Sequence, residues 1–109
     1  MPFDGLTTER ESELNVLLRM RDLLAKPGAW CQGGAYRGDG MCLIQAAAVA
    51  AASNALLQWR VTKRIAAQLP WTLVCAWKQP GCRVVDFNDR ASTTQADVLA
   101  LLDRAIGAA

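Results

Sequence analysis

Apolar positions recur at helical spacing in three stretches of the chain. Leu14, Leu17, Leu18, Leu24 and Ala25 line one face of the first, with Arg10, Glu13, Arg19 and Asp22 largely opposite. Thr8 and Glu11 fit a capping box, in which each side chain satisfies a backbone N–H at the helix start. Lys26 suits the negative end of the helix dipole, and Pro27-Gly28 stops the helix. In the second stretch, a helix predicted over 55–68, Leu57, Val61, Ile65 and Leu69 share one face. Arg60, Lys63 and Arg64 lie on another, and Pro70 ends it. The third stretch is the last helix. Ser92 and Gln95 fit its capping box, Val98, Leu99, Leu102, Ala105 and Ile106 form its stripe, and Gly107 closes it.

The intervening segments carry weaker signals. Residues 41–52 are alanine-rich and predict a helix capped by Asp39, with Ser53-Asn54 as a break before the next one. Residues 29–40 read as a loop, because Gly33, Gly34, Gly38 and Gly40 open backbone angles closed to other residues. The run 71–78 is apolar almost throughout and fits a buried strand or a short helix equally. Gln79-Pro80-Gly81-Cys82 reads as a type II turn, and 83–87 as a second short strand. The expected fold is therefore mainly α: one domain spanning 1–109, of about four helices, with a short β-hairpin over about 71–87 before the last helix.

Composition narrows the function classes. The 109 residues are 52% apolar, with alanine the commonest of these, which suits a closely packed helical core. Twelve basic and ten acidic groups leave a net charge of +2, too small a field to predict a nucleic-acid or anionic-membrane partner. Histidine is absent, which removes Ser-His-Asp and Cys-His catalysis and histidine metal sites. The N-terminal residues lack the pattern of a signal peptide, and no apolar run reaches the roughly 20 residues that span a bilayer. A cytoplasmic setting with reduced thiols is the expectation.

Three short motifs carry a resemblance. They are Trp30-Cys31-Gln32-Gly33 after the first helix, Cys42-Leu43 with Ala46 at a helix start, and Phe87-Asn88-Asp89. The last is followed by Thr94, then Asp97-Val98-Leu99 and Leu102-Asp103-Arg104-Ala105. Together they resemble a family of small bacterial proteins known only as a domain of unknown function. The resemblance covers about residues 13–106, except that 55–81 matches nothing in it. It implies one helical domain and brings no activity.

Several constellations could carry chemistry, each beside a plainer reading. Phe87-Asn88-Asp89-Arg90 sits where an apolar run meets a helix start. Asn88 and Asp89 fit a hydrogen-bonded turn, and also a polar site with Asp89 as acid or base and Asn88 as amide clamp. Cys31, Cys42, Cys75 and Cys82 stand at intervals that do not form zinc knuckles; Cys42 and Cys75 read as core, Cys31 and Cys82 as near loops. Trp59, Trp71 and Trp77 are assigned to the core. Trp30 is either core or an exposed anchor for a partner. The glycine loop lacks the lysine and hydroxyl of a phosphate cradle.

The leading expectation is a non-enzymatic interaction or regulatory module for a protein partner, with a phage or mobile-element inhibitor of a host factor as one variant. Its candidate binding residues are Trp30, Gln32, Tyr36, Phe87, Asn88, Asp89 and Arg90. A small-ligand site or enzyme around Asn88 and Asp89 is the second reading. DNA binding through Arg60, Lys63 and Arg64 is the third. No cofactor, metal or membrane is expected, and a homodimer is an open alternative.

Overall fold

The computed structural model describes residues 9–32, 40–70 and 79–109. Five helices run in order: α1 (Glu9–Ala25), α2 (Leu43–Ala50), α3 (Ala55–Ala66), α4 (Pro80–Asp89) and α5 (Gln95–Ala108). Among the described residues there is no sheet, only an isolated parallel bridge between Trp30 and Met41. α1 lies against α5, α2 and α3, while α4 packs on α3 and α2.

The core forms where the apolar stripes of all five helices meet. Val16, Leu17, Met20 and Leu24 come from α1, Leu43, Ala46, Ala47 and Ala50 from α2, and Val61 and Ile65 from α3. Val84 of α4 and Val98, Leu101, Leu102 and Ala105 of α5 complete it. The alanines of α2 let its neighbours approach closely, and burial of each larger side chain contributes about 1.5–3 kcal/mol.

Helix ends are tied by side chains from elsewhere. Gln95 donates from Nε2 to the carbonyls of Leu24 (2.7 Å) and Lys26 (2.8 Å), satisfying acceptors at the end of α1. Gly28 then takes φ +77°, the left-handed turn glycine makes without strain. Arg83 Nη2 reaches the Leu69 carbonyl at 3.1 Å beyond α3, and Arg19 Nη1 reaches the Ala50 carbonyl at 3.4 Å at the end of α2. Arg21 of α1 grips Asp103 of α5 with two hydrogen bonds, at 2.7 and 3.3 Å. The Arg21 hydrogen bond, aided by its charge, holds the Asp103 carboxyl below the ordinary aspartate value.

Several expectations are corrected. Residues 80–89 form α4, not a type II turn and strand. Pro80 occupies the first turn of a helix, where its missing N–H costs nothing, and Val84, Phe87 and Asn88 share an inward face at helical spacing. The 71–78 half of the hairpin lies outside the described residues, as do Thr8, Tyr36, Asp39, Trp71, Cys75 and Trp77. α2 begins at Leu43 with Cys42 as its N-cap. The capping box of α5 is Thr94 with Asp97, two residues beyond Ser92 and Gln95, because α5 begins only at Gln95. Leu18 and Trp59 are exposed rather than core. Trp59 falls two residues from both Leu57 and Val61, which turns it away from the buried face of α3. Cys82 is disulfide-bonded, so the four thiols are not all reduced; Cys31 and Cys42 are thiols. The expectation of reduced thiols is therefore corrected at Cys82. No helix among the described residues is long and apolar enough to cross a membrane.

Candidate functional site

The polar centre of the molecule is Asn88, in the last turn of α4. Val84 one turn earlier is buried, so the helix carries Asn88 to the same inward face, where it is 2% exposed. Its Oδ1 accepts from Trp30 Nε1 at 2.7 Å and from the Leu43 backbone N–H at 3.0 Å. Its Nδ2 donates to the Cys31 carbonyl at 3.2 Å and to Asp89 Oδ1 at 2.9 Å. An amide has two acceptor and two donor positions, and all four are occupied by protein. Asn88 thereby joins the segment 30–32, the first N–H of α2 and the end of α4.

The surrounding candidates converge on the same place. Gln32 Nε2 donates to the Arg90 carbonyl. Thr93 Oγ1 donates to the Phe87 carbonyl at 2.7 Å, closing the end of α4, while Phe87 and Trp30 pack half-buried against the core. Asp89 and Arg90 are exposed. The structure thus brings Trp30, Gln32, Phe87, Asn88, Asp89 and Arg90 together. Sequence reasoning missed three members of the cluster: the Cys31 carbonyl, the Leu43 N–H and the Thr93 hydroxyl. The signal that could have found them was the trio of motifs at Trp30-Cys31, Cys42-Leu43 and Phe87-Asn88, all of which meet here. In chemical terms the cluster is a buried polar staple, since the amide has no hydrogen-bonding position left for a substrate.

The second constellation is the outer face of α3. Arg60 pairs with Glu9 at 2.7 Å, and Arg64 pairs with Glu13, which is buried. Lys63 has no carboxylate partner among the described residues; its Nζ sits 4.4 Å from the centre of the Trp59 ring. Two carboxylates of α1 therefore pair with two of the three cations. Trp59 is 52% exposed and stands on the rim of a groove of about 630 Å³. Ile44, Gln58, Thr62, Gln79 and Pro80 also line that groove, and none of its described lining residues is charged. Among the described residues, no cluster of three or more His, Cys, Asp or Glu side chains is present.

A family model described as a family of unknown function, DUF6197, matches residues 8–108. No curated protein and no solved structure matches the chain.

Proposed function

Because the chain belongs to DUF6197, a family of unknown function, we propose from the geometry that it is a non-enzymatic interaction module that binds a protein segment across the Trp59 face of α3. One observation carries this reading: a large aromatic ring, half in solvent, lining a groove whose described residues are uncharged, with a cation against it that has no acidic partner among the described residues. Leu56 extends the apolar surface on the same helix. Tryptophan is over-represented among residues that dominate binding energy, and contiguous exposed apolar surface marks interaction sites. The matching partner segment is extended, places an apolar side chain on Trp59 and presents a carboxylate to Lys63. Gln58 and Gln79 offer amides to its backbone.

The test is a displayed random-peptide library selected on the protein and counter-selected on Trp59→Ala. Enrichment of sequences pairing an apolar residue with a nearby Asp or Glu, with binding lost in Trp59→Ala and weakened in Lys63→Glu, supports the reading. Failure to enrich any sequence, or enrichment of peptides that bind Trp59→Ala equally well, overturns it.

A further inference from the structure

We propose that Cys31 and Cys42 form a dithiol–disulfide redox couple at the entrance of α2. Both are half-buried thiols. The parallel bridge pairs Trp30 with Met41, through the Cys31 N–H to the Met41 carbonyl at 3.0 Å and the Met41 N–H to the Ala29 carbonyl at 2.7 Å. The Cys31 N–H bond to the Met41 carbonyl brings Cys31 against the peptide that leads into Cys42. The Cys42 backbone is still extended before α2 begins, with φ −81° and ψ 169°, and just beyond it the Asn88 amide stands between the Leu43 N–H and the Cys31 carbonyl. Neighbouring strands lie about 4.8 Å apart, and a disulfide spans Cα separations of about 4.4–6.8 Å.

Side-chain direction agrees with this placement. Alternation along extended backbone puts residues 31, 40 and 42 on one face and 30 and 41 on the other. A Cβ built on Gly40 would lie 2.8 Å from Cys31 Cβ, which places the Cys31 side chain on that shared face. Glycine at 40 is thus what lets Cys31 lie against the chain leading into Cys42. The Cys42 sulfur is itself held in place, accepting from the Gln45 N–H at 3.4 Å.

The reaction balances with a disulfide oxidant such as oxidised glutathione. One cysteine thiolate attacks a sulfur of the oxidant, forms a mixed disulfide and releases one glutathione thiolate. The second cysteine thiolate attacks the protein sulfur of that mixed disulfide, forms the Cys31–Cys42 bond and expels the second glutathione. The pair gives up two protons and two electrons, and the oxidant's S–S bond becomes two thiols. Closure draws the Cys42 sulfur from the Gln45 N–H and pulls on the Cys31 carbonyl that Asn88 holds, so the couple acts directly on the staple.

The test equilibrates the whole protein, with the Cys82 disulfide intact, in glutathione buffers of graded oxidation. Thiols are then alkylated, and intact mass and peptide maps are read. The expected product is two hydrogens lighter than the dithiol and resists alkylation, with the Cys31 and Cys42 peptides cross-linked. Cys31→Ser and Cys42→Ser should each stop at a glutathione adduct, for want of the resolving thiol. Wild-type protein that keeps glutathione on either cysteine, stays fully alkylatable, or couples either one to Cys82 overturns the proposal.

Discussion

Replacing Asn88 should cost more stability than any other single polar substitution on the inner face of α4. In Asn88→Ala four hydrogen bonds are lost at once. Asp89 is exposed, so its carboxylate recovers water at little cost. The Leu43 N–H is attached to a fully buried residue, and the Trp30 indole N–H is half-buried. Each such group stranded without a partner costs about 1–3 kcal/mol. With the Cys31 carbonyl and a small cavity added, the loss comes to about 4 kcal/mol, a large share of the roughly 5–15 kcal/mol that holds a domain of this size together. Urea unfolding followed by tryptophan fluorescence and far-UV circular dichroism measures it. At a slope of roughly 2 kcal/mol/M the midpoint falls by about 2 M with the slope unchanged. Asn88→Asp separates hydrogen bonding from volume. Its ionised carboxylate faces the Cys31 carbonyl and the Asp89 carboxylate where the amide N–H groups were, so its folded-state pKa is raised. Its deficit relative to wild type should then be smallest below about pH 4, the ordinary aspartate value, and widen as pH rises. A loss under about 1 kcal/mol in Asn88→Ala, or a pH-independent deficit in Asn88→Asp, would refute the assignment of Asn88 as the structural staple.

Other outcomes follow from the same geometry. Trp59→Ala should leave the unfolding free energy within about 1 kcal/mol of wild type, since the ring is half in solvent; a larger loss in the same urea assay would make Trp59 a core residue after all. Asp103 should titrate by NMR below the ordinary aspartate range and return toward it in Arg21→Ala. Because its folded-state value is depressed, the stability this pair contributes is present above the unfolded value and is lost as pH falls through the folded one. Asp103→Asn should therefore flatten the acid limb of the stability curve below about pH 4. Ser53 holds φ +66°, next to Ala52 at φ +52°. Ser53→Gly relieves about 1–2 kcal/mol of left-handed strain against about 0.4–1 kcal/mol of added unfolded-state entropy. Calorimetry should show a melting temperature higher by about 3 °C, and a fall would refute the strain argument.

The sequence alone determined the elements whose signal is local and repeated. α1, α3 and α5 each carry an apolar stripe over three or more turns, and such a stripe has one cheap solution, an amphipathic helix packed on its neighbours. Pro27-Gly28 also announced the end of α1, since proline's ring and the left-handed turn at Gly28 act on adjacent residues only. The short run at 80–89 was not decidable that way. Val85 and Phe87 flank Asp86 as a strand would, while Val84, Phe87 and Asn88 line one helical face; only packing on α3 and α2 selects the second. The tryptophans show the same limit. Trp59 looked like core by its apolar neighbours, yet its angular position on α3 turns it to solvent, while Trp30, from a polar glycine loop, is drawn inward by Asn88. The partners of Asn88 on Trp30, Cys31 and Leu43 lie 45 to 58 residues away along the chain. Hydrogen bonds are short and directional, so which distant groups an amide satisfies is settled only when the helices bring them within reach.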